Sequence, residues 1–283
     1  MPRLALDQEL AAVRALVERL GLGAAEPVVL KLAKHTTLRL GPVVARVQSA
    51  GDLEAAATVM AREVAVAQHL ASRGAPAVRP SIDAPPGPHE ADGCVISLWS
   101  YVAHRAAEET DADAAGAALE GLHAGLASYA GGLPAYTETV AGCATLAEDA
   151  GAMLAAAPAD RAFLAGLVRA GLARLPADEG RWIALHGDTH SGNVLVTPAG
   201  ALWADLEAVC RGPLEWDLAD KPAGFVANFQ AVDAALLDTF GALRRACSAV
   251  WCWADAGRSA EIRAAAEYHT AQLRREAAAS RFA

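Results

Sequence analysis

From residue 5 to residue 20, apolar side chains recur every three or four positions, at Leu6, Leu10, Val13, Val17 and Leu20. That is the period of a helix with one buried stripe. The pattern then changes to short leucine-rich and β-branched runs at Pro27–Leu32, Thr36–Leu40 and Val43–Val47, the last two separated by Gly41-Pro42. These predict three strands. Helical spacing returns over Asp52–Ser72, with Val59, Val66 and Leu70 on the stripe and Gly74 as candidate C-cap. Pro76–Pro88 reads as a surface connection and Cys94–Leu98 as a buried strand. From Asp111 onward the chain is mostly helical, over 111–130, 145–154, 160–175, 225–240, 243–254 and 261–279. His123 falls at the edge of the Leu119, Leu122, Leu126 stripe and reads as structural. Strands first and helices later make an α+β protein.

Two charges break these patterns. Arg46 stands inside the apolar run Val43-Val44-Ala45-Arg46-Val47, and Glu63 lies on the apolar stripe of the 52–72 helix. A charge in such a place needs a partner. The two fit either a buried pair or two side chains that reach solvent.

One strand–turn–strand stretch interrupts the helical half. Trp182–Leu185 is an apolar run ending at His186-Gly187-Asp188, and Asn193 follows five residues after Asp188. Val194-Leu195-Val196, the turn Pro198-Ala199-Gly200 and Ala201–Ala204 predict a hairpin that returns Asp205 to the end carrying Asp188 and Asn193. A carboxylate beside a hydroxyl can accept its proton, which suits Asp188. A divalent cation on phosphate oxygens takes hard oxygen ligands, which suits Asn193 and Asp205. This division of labour serves phosphoryl transfer.

Composition narrows the classes. The chain has 283 residues, 20% of them charged, and a net charge of -9. That balance argues against a nucleic-acid binder. No apolar run reaches the roughly 20 residues of a membrane span, and the first 20 residues carry acids inside a helical period, unlike a signal peptide. Cys94, Cys143, Cys210, Cys247 and Cys252 form no C-x-x-C pair, which predicts reduced thiols and a cytoplasmic protein. The three lysines, Lys31, Lys34 and Lys221, match no G-x-x-x-x-G-K-[ST] loop.

HGDTHSGNVL followed by DLEAVCRGPLEWDLA resembles the aminoglycoside phosphotransferase and choline kinase family. The likeness is dense over about forty residues and looser, but in the same order, elsewhere. It implies a two-lobed protein-kinase-like fold with an antiparallel small lobe (1–98), a hinge (99–102) and a mainly helical large lobe (103–283). It implies an ATP-dependent phosphotransferase using Mg2+, with a small hydroxylated acceptor, an aminoglycoside-like antibiotic or amino sugar among the candidates. In this resemblance Arg46, held by Glu63, takes the phosphate-orienting place usually filled by Lys. Leu98, Trp99 and Tyr101 fall where the hinge meets adenine, although Trp99 and Tyr101 fit core aromatics equally. The glycine-rich phosphate loop is missing, so Thr36 and Thr37 become the candidate phosphate contacts. Asp217 either braces the catalytic loop or caps a helix, and His190 either meets substrate or stabilises its loop. Glu207, Glu215 and Asp220, close to the centre in sequence, suggest a cationic acceptor. A nucleotide-binding pseudokinase with a sensor or scaffold role is the alternative, favoured by the absent glycines and opposed by the intact Asp188, Asn193 and Asp205.

Overall fold

A computed structural model describes residues 3–23, 26–175, 179–257 and 259–278. Ala279, the last residue of the final predicted helix, lies outside them. In chain order the elements begin with α1 (Leu6–Arg19), β1 (Val28–Leu32), β2 (Thr36–Leu40), β3 (Val43–Gln48) and α2 (Leu53–Ser72). They continue with β4 (His89–Ala91), β5 (Cys94–Ser100), β6 (Arg105–Ala106), α3 (Ala112–Leu126), α4 (Tyr136–Glu148), α5 (Pro158–Leu172) and β7 (Ile183–Leu185). Then come β8 (Val194–Thr197), β9 (Gly200–Trp203), β10 (Cys210–Gly212), α6 (Glu215–Leu218), α7 (Ala223–Val226), α8 (Ala234–Asp255) and α9 (Ala260–Ala278). They form two compact units: Met1–Gly132 with Asp188–Val209, and Leu133–Gly187 with Cys210–Ala283.

The first unit is built on an antiparallel sheet of order β1-β2-β3-β5-β4. Period-two alternation gives it a core face and an open face. Leu38, Ala45, Val47, Ile96 and Leu98 are buried together with Ala12, Val13, Leu16 and Val17 of α1. Each fully buried leucine there contributes about 1.5–3 kcal/mol. Thr37, Val44 and Arg46 alternate with those core residues and line a cavity. β1 is an edge strand, and Val28, Val29, Leu30 and Leu32 are all exposed on it. Helix α2 starts where the Asp52 carboxylate accepts from the N–H groups of Glu54 and Ala55. The Pro76–Pro88 stretch is a surface connection at Ile82, Asp83 and Pro85, as its Pro, Ala and Gly content suggested, but it also docks on neighbouring strands. Ala77 bridges to Trp203 and Pro80 to Trp99, Ser81 N–H donates to Leu98 O, and Leu98 N–H donates to Pro86 O. The prolines keep their acceptors, so a segment poor in donors still docks on a strand. β8 and β9 form the expected hairpin, extended by β6.

The second unit packs α4, α5, α8 and α9 around Val140, Leu164, Val168, Leu243 and Val250. The helix boundaries depart from expectation: residues 149–154, expected inside a helix over 145–154, and 227–233, expected inside one over 225–240, are not helical. Helix α4 begins at Tyr136, not Thr145, and the Glu138 carboxylate accepts the Ala135 N–H at its start. Tyr136 is buried against Trp182, Trp216 and Phe240, with ring centroids 5.4 to 5.7 Å away. Helix α8 runs through Gly241, where the sequence suggested a break between two helices. A Cβ on Gly241 would stand 2.9 Å from Asp220 Oδ1, so the glycine makes room for the Asp220–Arg245 ion pair. No described helix is long and apolar enough to cross a membrane, and all five cysteines are free thiols.

Candidate active site

In the first unit the hairpin puts the predicted groups together. Val194 pairs with Trp203, and the Ala204 N–H donates to Asn193 O at 2.8 Å, so Asn193 and Asp205 share one end of the ladder. The Asn193 amide NH2 donates to Asp188 O at 2.9 Å and lies 3.3 Å from Asp188 Oδ2. Its amide oxygen is thereby the atom left to meet a cation. Asp205 sits in the left-handed region, at φ 63 and ψ 63, which Asp tolerates better than most residues. His190 Nε2 lies 3.4 Å from Asp188 Oδ2, and the ring packs on Gly192, where a Cβ would be 2.9 Å away.

Arg46 and Glu63 form the buried pair. Arg46 Nη1 donates to Glu63 Oε1, and Nη2 donates to Asp205 Oδ1 at 2.8 Å and lies 3.7 Å from Glu207 Oε2. Glu63 Oε1 also accepts the Leu206 N–H at 3.1 Å, which ties α2 to the turn after Asp205. Burial pushes the Glu63 carboxyl up, to about 7, while Arg46 pulls it down and Asp205 and Glu207 add to the rise. Burial works against the charge on Arg46, but Glu63, Asp205 and Glu207 more than offset it and hold the guanidinium above its usual value. Breaking such a pair leaves a buried charge alone, at a cost of about 3–5 kcal/mol. Arg46→Met is expected to lose about that much in urea unfolding, and Glu63→Ala less, because Arg46 keeps Asp205 and Glu207. The double variant should lose well under the sum, and additive losses would show that the two side chains are not coupled.

A cavity of about 280 Å³ opens on the Arg46 face of the sheet. One cross-strand row, Val44 and Trp99, gives it an apolar wall, and the row two residues along β3 brings Thr37 beside Arg46. Tyr101 lines the apolar end with the Arg39 guanidinium 3.7 Å above its ring. Two of the expected contacts are elsewhere. The Thr36 hydroxyl is buried and donates to Glu9, because alternation turns it to the α1 face while Thr37 faces the cavity. Leu98 is a core residue, and its N–H and C=O are both spent on the 80–88 segment.

The acids near the centre in sequence are largely engaged. Glu207 accepts from Lys34 Nζ at 2.8 Å and pairs with His35 Nε2 at 2.7 Å. Burial would raise its pKa, but His35, Lys34 and Arg46 outweigh that and hold it below the usual carboxylate range. In the second unit Glu215 is buried and accepts the Asp233 N–H at 2.9 Å, and Asp220 is paired with Arg245. These placements remove the basis on which the three acids suggested a cationic acceptor.

The second unit holds the peptide that leads into Asp188. The Asp217 carboxylate accepts the N–H groups of His186, at 2.7 Å, and Gly187, at 2.9 Å. It is a brace, not a helix cap. The Gly187 carbonyl accepts from Trp216 Nε1 at 3.2 Å and from Arg244 Nη1 at 3.1 Å. Gly187 needs to be glycine because its φ is 85°. The part played by Arg244 had no sequence signal beyond a cation on an α8 position that faces Trp216.

A divalent metal fits the donors present. Among the described residues no three or more His, Cys, Asp or Glu are grouped to hold a metal by themselves. Asp205 and the Asn193 amide oxygen offer a partial oxygen shell, which suits a hard cation that brings phosphate oxygens and water with it. Three carboxylates around Arg46, with Glu63 Oε2 buried and unpartnered, leave the cluster short of positive charge.

The profile of the phosphotransferase enzyme family matches residues 17–253. No curated protein matches the chain. Among solved structures, a microcompartment-associated aminopropanol kinase is similar at 16% identity and TM-score 0.69, covering 96% of this chain and 99% of that one. An amicoumacin kinase in complex with AMP-PNP, Ca2+ and Ami is similar at 13% identity and TM-score 0.64, covering 87% of each chain. An aminoglycoside-3'-phosphotransferase of type VIII is similar at 22% identity and TM-score 0.61, covering 84% of this chain and 98% of that one. These neighbours share its protein-kinase-like α+β fold.

Proposed function

The chain belongs to the phosphotransferase enzyme family, and from that membership we propose that it moves the γ-phosphate of ATP onto a hydroxyl of a small molecule. The observation that carries this reading is the meeting of Asp188, Asn193 and Asp205 at one end of the β8–β9 hairpin. Asp188 accepts the proton of the acceptor hydroxyl as its oxygen attacks the γ-phosphorus. The bond from the γ-phosphorus to the bridging oxygen breaks, and ADP leaves. Magnesium, when bound by Asn193 and Asp205, supplies neutralisation of phosphate charge. The braced 186–187 peptide and the Arg46–Glu63 pair fix the positions of Asp188 and Asp205, and positioning supplies much of the catalysis in this chemistry. Val44, Trp99 and Tyr101 form the wall on which the base rests. Free thiols fit a reducing compartment such as the cytoplasm.

The acceptor carries an amine as well as a hydroxyl. The support is that similar structures include an aminopropanol kinase and an aminoglycoside-3'-phosphotransferase. The test is magnesium-dependent ATP consumption over matched pairs of amino alcohols and neutral alcohols, aminoglycosides included. Amine-bearing acceptors are expected to show the higher kcat/KM. A neutral alcohol as best acceptor would reject the amine, and no consumption with any hydroxylated compound would reject the reaction.

A further inference from the structure

β1 does not pair evenly with β2. Val29 stands opposite Leu38 and Lys31 opposite Thr37, so Leu30 is an extra residue, a bulge. Counting by twos from Val29 would put Lys31 on the core face with Leu38. The bulge moves it onto the other face, in the cross-strand row Lys31, Thr37, Arg46. Bulges re-aim side chains in this way and often do so beside active sites. Lys31 and Leu30 both line the cavity.

The three lysines differ in what holds them. Lys34 pairs with Glu207, and Lys221 Nζ donates to Ala219 O. The Lys31 ammonium, among the described residues, has no ion pair or hydrogen bond. Arg46, at the other end of the row beyond Thr37, is engaged by Glu63 and Asp205. A nucleotide whose base rests on Val44 and Trp99 would carry its phosphates toward the polar row two residues along. There it would meet one cation already committed to carboxylates and one that is not.

On this ground, and resting on the proposed function, the geometry points to Lys31 as the residue that binds the nucleotide's terminal phosphates, in place of a glycine-rich loop. Arg46 then serves chiefly to order Glu63 and Asp205. The side chain of Lys31 is exposed and supports nothing in the fold, so its replacement separates binding from stability.

The test compares the affinities of AMP and a non-hydrolysable ATP analogue, with magnesium, by calorimetry. Parent, Lys31→Gln, Lys31→Arg and Lys34→Gln are measured, each with a thermal melt. Lys31→Gln is expected to weaken the ATP analogue by about tenfold or more, as loss of one charged hydrogen bond does. Its AMP affinity should stay within about twofold and its melt should be unchanged, while Lys31→Arg, which keeps the charge, restores most of the loss. A parental ATP-to-AMP ratio in Lys31→Gln, or a ratio lost only in Lys34→Gln, overturns the inference and leaves the proposed function standing. A parent protein that binds neither nucleotide overturns both.

Discussion

Asp188→Asn is expected to bind nucleotide with parental affinity and to turn over at least ~10²-fold more slowly, the effect of losing a general base. Asparagine keeps the size of the side chain. The contact from the Asn193 NH2 to the Asp188 carbonyl at 2.9 Å uses the backbone and is unaffected. The His186–Gly187 peptide stays clamped by Asp217, so the loop keeps its course. What goes is the proton acceptor. Initial rates with the best acceptor, beside a nucleotide titration, check this. A variant that binds nucleotide and turns over at the parental rate would show that Asp188 is not the base.

Asp205→Asn should remove the part of nucleotide affinity that depends on magnesium and leave the metal-free part intact or stronger. Asparagine is the informative replacement, because it accepts the left-handed backbone at φ 63 and changes only the charge. Alanine would add a conformational cost of about 1–2 kcal/mol that has nothing to do with metal. The charge has two partners to lose. A hard cation loses its anionic ligand, and Arg46 Nη2 keeps an Oδ1 acceptor but loses the opposite charge that holds it there. Calorimetry in EDTA and in magnesium separates the two effects. The same magnesium increment in variant and parent would sink the assignment of Asp205 as a metal ligand.

The sheet and the hairpin were legible because short β-branched runs between turn residues are a strong local signal. The two faces of Val43–Val47 were not, since all but Arg46 are apolar and only the burial pattern separates Val44 and Arg46 from Val43, Ala45 and Val47. The pairing of Arg46 with Glu63 was legible for a related reason, since each charge stands where its neighbours are apolar. Helix α4 hid its first turns because Thr137, Thr139 and Gly142 weaken the helical signal that Tyr136, Val140 and Ala144 carry. Gly241 looked like a break because its reason, the packing of Asp220, lies far off in sequence. Thr36 and Thr37 show the limit of a list of residue types. Both are hydroxyls in one strand, and only the pairing register tells which one faces the cavity. The acids Glu207, Glu215 and Asp220 show the converse. Closeness in sequence to the centre said nothing of the cations and N–H groups that already hold them.

The exposed edge strand has a consequence for how copies of the molecule behave toward one another. β1 presents unpaired backbone groups and four exposed apolar side chains, Val28, Val29, Leu30 and Leu32. Such an edge is a template for strands of another chain, and proteins protect it with charge, lysine above all. Lys31 is the only charged residue along β1. Its ammonium is the one charge set among those apolar side chains, the kind of device that discourages strand pairing at an open edge.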